Sequence, residues 1–211
     1  MYRKTWMQVN LDKIEHNLIQ LKEICQKKII AVLKADAYGC GDIHVARAVL
    51  EAGAEMIAVS SLDEALVLRN EGYEGKLLIL GATEANDIPV LIKYGISCTA
   101  YSTEWVLDAA KQNCKGLHVH LKVDTGMSRI GFRTIDELHF AFEKLQAASC
   151  DMEGIFTHFC CADSDLDLTN RQFSKFKEAV ESFSYTFPWV HCDNSDATAF
   201  FKEDTSNACR I

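Results

Sequence analysis

Short runs of apolar residues alternate along this chain with longer segments in which apolar positions recur every three to four residues. The short runs predict strands at Ile29–Leu33, Met56–Ser60, Lys76–Leu80, Ile96–Ala100, His118–Val123, Met152–His158 and Trp189–Cys192. They are rich in branched residues and scarcely alternate, as strands buried on both faces do. The longer segments predict helices near Leu11–Ile24, Ile43–Ala52, Leu62–Glu71, Trp105–Gln112, Ile135–Ala147 and Leu168–Phe183, several opening on Asp, Ser or Thr caps. Asp63 and Glu64 sit where a helix dipole favours negative charge. No low-complexity stretch or charged linker divides the pattern, so residues 1–211 are expected to form one domain.

Repeated strand–helix units require parallel strands with right-handed crossovers, which leaves an α/β fold of two kinds, a doubly wound open sheet or a closed (β/α)₈ TIM-type barrel. The barrel is favoured by what stands at the strand ends. Lys34, Leu80, Lys122, Asp124, His158, Asn194 and Ser195 each lie at or just past the C-terminal edge of an apolar run, where a barrel gathers its active site. An eighth strand is expected, and the chain stops at Cys209-Arg210-Ile211, just inside it. A truncated last strand predicts an unpaired edge, hence association or poor solubility.

Composition narrows the function classes. At 211 residues, 48% hydrophobic and 25% charged, the chain can bury a sizeable core. A net charge of -8 argues against nucleic acid or an anionic membrane as the main partner. With no charged-then-apolar leader and no apolar span of about 20 residues, a cytosolic protein is expected. The 9 cysteines are scattered, odd in number and without a C-x-x-C pair, so free thiols are expected rather than disulfides or a metal site.

Four stretches carry candidate chemistry. Ala31-Val-Leu-Lys-Ala-Asp-Ala-Tyr-Gly-Cys-Gly41 puts Lys34 at the end of a strand, with Gly39 and Gly41 opening a loop. A partly desolvated amine there can attack a carbonyl carbon; a strand-end lysine snorkelling to solvent is the plainer reading. His118-Val-His-Leu-Lys-Val-Asp-Thr-Gly-Met-Ser-Arg-Ile-Gly131 empties into a loop with Lys122, Asp124 and Arg129, either a salt-bridged closure or an arginine fork aimed at a phenolate or carboxylate. Gly154-Ile-Phe-Thr-His-Phe159 ends on His158, which could equally be structural. In Val190-His-Cys-Asp-Asn-Ser-Asp-Ala-Thr198, Asn194 and Ser195 form either a plain helix cap or a cradle for phosphate. Arg210 ends the chain beside them. On one rim, an amine, a tyrosine, two arginines, a histidine and an anion-binding turn fit a phosphorylated aldehyde cofactor.

The set resembles the alanine racemase family over essentially the whole chain. The family's K-A-[ND]-A-Y-G-x-G motif reads here as Lys34-Ala-Asp-Ala-Tyr-Gly-Cys-Gly41, and its K-x-D-T-G-M-x-R-x-G motif as Lys122 through Gly131. Thr5-Trp6, Asn10-Leu11-Asp12 and His16-Asn17-Leu18 look like the family's opening. The resemblance implies a fold type III enzyme of pyridoxal 5′-phosphate, interconverting L- and D-alanine for peptidoglycan precursors, with a homodimeric full-length form. It implies that Lys34 bonds the cofactor and acts as base on the D-face of the substrate. Tyr38 and Ser195, beside Asn194, would hold the phosphate. Leu80 would pack near the ring, Arg129 would approach the phenolic oxygen, and Lys122 would carry a carbamate that orients Arg129. Arg210 would face the pyridine nitrogen, with His158 behind it. An arginine stays protonated and cannot protonate that nitrogen, which leaves the ring a weaker electron sink and favours simple reprotonation.

Two departures stand out. Asp193 and Asp196 flank Asn-Ser where the family carries neutral residues, and they weaken a phosphate site unless both point away. The family's second base is a tyrosine from a C-terminal β-domain of the partner subunit, which this chain is expected to lack. A serine racemase domain of glycopeptide resistance, and a non-catalytic barrel of the pyridoxal-phosphate homeostasis type, are the rival readings.

Overall fold

The computed structural model describes residues 4–211. Its strands are β1 (Lys28–Val32), β2 (Met56–Val59), β3 (Leu77–Ile79), β4 (Cys98–Ala100), β5 (His118–Lys122), β6 (Asp151–Phe156), β7 (Trp189–His191) and β8 (Ala208–Arg210), all parallel, in the order β3-β2-β1-β8-β7-β6-β5-β4. Between β3 and β4 a bridge joins Leu78 to Ser97, with Ile79 N donating to Ser97 O at 2.9 Å and Ser97 N to Leu77 O at 2.8 Å. The sheet thereby returns on itself as the expected barrel. The last strand is short, but it leaves no open edge. Ala208 pairs with both Lys28 and His191, Ile211 N donates to Ile30 O, and Val32 N donates to Ile211 O at 2.7 Å. The expected unpaired edge, and the association inferred from it, are therefore not supported: three residues suffice to pair both neighbours.

Helices α1 (Leu11–Cys25), α3 (Asp42–Glu51), α4 (Leu62–Asn70), α5 (Ile88–Tyr94), α6 (Thr103–Ala109), α7 (Ile135–Ala147), α8 (Leu166–Glu181) and α9 (Ser195–Phe200) surround the sheet, and α2 (Lys34–Gly39) is a single turn described below. Helix α1 packs against both α3 and α9, filling the outer ring beside the first and last strands. Among the described residues, no helix is long and apolar enough to cross a membrane.

The core has two compartments. A large outer layer packs the strands against the helices, with residues such as Ile29, Ile57, Leu121, Phe159 and Phe176 almost wholly buried. Inside the barrel a smaller apolar cluster of Ile30, Met56, Ala58, Leu78, Trp189 and Ala208 fills the side formed by β1–β3, β7 and β8. The other side, from β5, β6 and the inward residues of β7 and β8, is polar: His120, Lys122, Glu153, His191 and Arg210 are all buried.

Candidate active site

Lys34, Tyr38, Leu80, Lys122, Arg129, His158, Asn194, Ser195 and Arg210 all line one cavity of about 360 Å³ at the C-terminal ends of the strands. Of the site residues named from the sequence, only Asp124 stands outside this wall; the others are brought to one place. Val32, Ser60, Gly81, Ala82, Ile130, Phe156 and Ile211 complete the wall. Phe156 carries no motif of its own, yet it is the last residue of β6 and, like His158 two residues beyond, lines the cavity.

Lys34 is presented by an unusual turn. Ala35, Asp36, Ala37 and Tyr38 all adopt left-handed backbone angles, with φ between 50° and 55°. For L-residues this conformation costs about 1–2 kcal/mol each, so something outside the turn must hold it. Glu64, in the first turn of α4, accepts from Ala35 N at 2.7 Å, and its other oxygen accepts from Ser60 N at 2.7 Å and Ser60 Oγ at 2.8 Å. Burial raises the pKa of this carboxyl, but those donors outweigh it and hold it below its ordinary value. Asp36 closes the turn by accepting from Asp42 N. The Lys34 amine is half-buried, 5.8 Å from the centre of the Tyr38 ring, and shares the cavity with both arginines instead of reaching away into solvent.

Strand β5 delivers Lys122, only 3% exposed, whose Nζ donates to Val123 O at 2.7 Å. Burial, reinforced by the charges of Arg210 and Arg129 and opposed by Asp124, pushes its pKa down to about 7. Asp124 does not pair with Arg129. It accepts from Ser128 N at 2.9 Å and Gly126 N at 3.2 Å and meets Arg133 Nε at 3.3 Å, so it shapes the loop and leaves the Arg129 guanidinium without a protein partner among the described residues. Gly131, at φ 119°, lets this loop fold back on β5: a Cβ there would lie 2.8 Å from Lys122 O.

Arg210 is fixed on nearly every side. Its NH1 donates to His191 Nδ1 at 2.8 Å and His191 O at 2.9 Å; NH2 donates to Thr157 O at 2.7 Å, Cys192 O at 3.2 Å and His158 Nδ1 at 3.3 Å. Nε is the donor with no partner among the described residues. Burial lowers the guanidinium's pKa to about 10, which still leaves it charged at neutral pH. Burial, then the charges of Arg210, Arg129, Lys122 and Lys34, push His158 down to about 3, so it is a neutral ring.

Asn194 does what a plain cap does: its Oδ1 accepts from Ala197 N at 3.0 Å. Ser195, the first residue of α9, is exposed and faces the cavity with the free end of that turn. Asp193 points away, buried against Lys27 Nζ at 2.9 Å and Ser206 Oγ at 3.3 Å, and Asp196 is exposed and outside the cavity wall. The two carboxylates therefore leave this turn unopposed.

The chain matches the family described as alanine racemase, N-terminal domain, over residues 9–211. It is 40% identical to alanine racemase 1 of Oceanobacillus iheyensis and 39% identical to alanine racemase 1 of Bacillus subtilis, in both over 100% of this chain but only 58% and 55% of the relative. The chain thus spans little more than half the length of these relatives. Alanine racemase from Bacillus anthracis with bound L-Ala-P superposes with a TM-score of 0.92 at 37% identity, covering 100% of this chain and 57% of that one. A histidine racemase from Leuconostoc mesenteroides superposes with a TM-score of 0.88 at 29% identity, covering 95% and 56%. A parallel barrel with this cavity at its strand ends, matched along nearly its whole length, belongs to the alanine racemase N-terminal domain family.

Proposed function

We propose that residues 1–211 are the N-terminal barrel domain of an alanine racemase, which binds pyridoxal 5′-phosphate through Lys34 and moves the α-proton of alanine at that amine. The observation that carries this reading is the convergence of Lys34, Arg129, Arg210 and the Ser195 turn on one cavity. The residues suit a planar phosphorylated pyridine aldehyde: an amine for the aldehyde, the free start of α9 with the Ser195 and Tyr38 hydroxyls for the phosphate, and Arg129 for the phenolic oxygen. Leu80 would pack beside the ring, and Arg210, whose Nε has no partner among the described residues, would hold its nitrogen. When bound, the cofactor draws electrons from the substrate α-carbon and so acidifies its hydrogen.

The chain's own residues then do the rest. Lys34 Nζ takes the α-proton on the D-face and returns it. Arg210 stays protonated and donates a hydrogen bond without surrendering a proton, which limits electron withdrawal and disfavours side reactions. Neutral His158 backs that guanidinium. Lys122, with an amine that is substantially uncharged at neutral pH, can react with carbon dioxide to give a carbamate, whose negative charge would orient Arg129. The second proton-transfer group belongs, on this reading, to the part of the relatives' length that these residues do not span. The same reading makes the full-length enzyme a cytoplasmic homodimer supplying D-alanine for peptidoglycan precursors.

The test is attachment and exchange. Mixed with pyridoxal phosphate, the chain is expected to gain the long-wavelength absorbance of a lysine-bound aldehyde, to retain the cofactor on Lys34 after borohydride reduction and peptide mass spectrometry, and to exchange the α-hydrogen of D-alanine with deuterated solvent. Lys34→Ala removes all three. Attachment at other lysines, or none, overturns the assignment.

A further inference from the structure

Below the cavity, the polar half of the barrel interior holds groups that the chemistry above does not use. His191 Nε2 lies 2.9 Å from His120 Nδ1, and His120 Nε2 lies 3.2 Å from Glu153 Oε2. Glu153 also accepts from Ser97 Oγ at 2.6 Å and is paired with Lys76 at the N-terminal ends of the strands. With the bond from Arg210 NH1 to His191 Nδ1, this makes an unbroken row from the cavity to the opposite end of the barrel. Both imidazoles are 0% exposed, and Glu153 and Arg210 are 4% exposed.

Proton inventory allows one arrangement. A guanidinium only donates, so His191 Nδ1 is bare and its hydrogen sits on Nε2. His120 Nδ1 must then be bare as well, and its Nε2–H points at the carboxylate, which only accepts. Charging either ring would set donor against donor; burial first, then the charges of Arg210 for His191 and of Lys76 and His118 for His120, keep both rings neutral, outweighing Glu153's opposing pull on His120. The row runs from a fixed cation to a fixed anion, so each bond polarises the next in the same sense.

Two backbone features serve this row. Val119 pairs with Met152 but His120 pairs with Gly154, so Glu153 is the residue skipped in the ladder, and a bulge of this kind re-aims a side chain. At Gly154, a Cβ would come within 2.6 Å of Cε1 of His120, so glycine makes room for the ring. Phe156 stacks on His191 at 4.7 Å between centroids and 5° between planes, fixing the second ring.

We propose that Glu153 is a positioning residue which, through His120 and His191, fixes the orientation of the Arg210 guanidinium in the cavity. The row itself follows from the protein alone. Its consequence, that a carboxylate at the far end of the barrel steadies the partner of the cofactor's ring nitrogen, rests on the proposed function.

Long-range proton–nitrogen NMR correlations on the 211-residue chain, labelled at histidine and free of cofactor, show which ring nitrogens are bare. A single Nε2–H form is expected at His120 and His191 in the wild type and in Glu153→Gln, whose amide oxygen still accepts. In Glu153→Met the Arg210 donor still keeps His191 Nδ1 bare, but His120 Nε2–H has lost its acceptor, so its proton resonance moves upfield and the His191 Nε2–H resonance, bonded to the freed ring, moves with it. A hydrogen on Nδ1 of His191 in the wild type, or a His191 unmoved in Glu153→Met, overturns the proposal. Should Glu153→Met not fold, Glu153→Asp, one methylene short of His120, replaces it with the same two outcomes. Cofactor retention on the same samples is expected to fall in Glu153→Met and recover in Glu153→Gln; equal retention in both breaks the link to Arg210. Failure of the wild type to bind cofactor at Lys34 would refute the reading of the cavity while leaving the histidine result to stand.

Discussion

At the scale of single residues, Lys122 is where burial and charge meet most sharply. Its folded pKa of about 7 lies well below the unfolded value of 10.5, so between these values the unfolded chain binds the extra proton. While this amine is unmodified, stability should rise with pH across that window, and below pH 7 the buried ammonium costs the fold its full penalty. Lys122→Met is expected to stabilise the chain at pH 6 by roughly 2–4 kcal/mol and to flatten the rise, as read by urea denaturation at several pH values. An unchanged slope would mean that the amine is solvated or already capped. The residues that sequence exposed at this site were those whose chemistry is costly to place, such as Lys34, Arg129 and Arg210. Ser60 and Phe156 escaped because a hydroxyl and an apolar ring at a strand end are unremarkable until the third dimension shows what they face.

Elements divide along a similar line. All seven predicted strands are present, their ends displaced by at most two residues, because a run buried on both faces leaves little ambiguity. Helix α5 leaves little trace in the sequence: it has only seven residues, carries Pro89 in its first turn and follows a stretch without periodicity. The left-handed turn at Lys34 is not legible in the sequence, which suggests only an open loop, since Ala35–Tyr38 contains no glycine and its support comes from Glu64, 29 residues further along from Ala35. Two changes test that account. Ala35→Gly relieves the backbone at an exposed position and is expected to raise stability by roughly 0.5–1 kcal/mol. Glu64→Ala removes the acceptor for Ala35 N and should lower both stability and cofactor affinity, measured by thermal melting and absorbance titration; a neutral result would mean that the turn supports itself. The Glu64 carboxyl is held below its ordinary pKa, so its contribution is present above the unfolded value and lost as pH falls through the folded one.

For the molecule as a whole, closure depends on a buried ion cluster as much as on the ladders. Lys27, just before β1, joins Asp193 after β7 and Glu203 in the connection from α9 to β8, and Ser206 bonds both carboxylates. Burial alone would lower the lysine's pKa, but the two carboxylates more than restore it. Lys27→Met would strand two buried anions where the barrel's ends meet, with an expected loss of roughly 3–5 kcal/mol. The deficit should shrink as pH falls and one carboxylate takes up a proton, a trend that denaturation at two pH values can check. Parity with the wild type would show that solvent reaches this cluster.

The unequal halves of the barrel interior bear on how this protein can change. The dry half, around Ile30, Met56, Leu78 and Trp189, asks only for volume, so its members can be exchanged one for another when a neighbour compensates. The wet half asks for donors and acceptors in a fixed sense, and no single substitution there can be repaired by size. A saturation library scored for folding should therefore show a tolerant crescent beside an intolerant one within a single ring of strands, and descendants of this chain should drift along the first while standing still on the second.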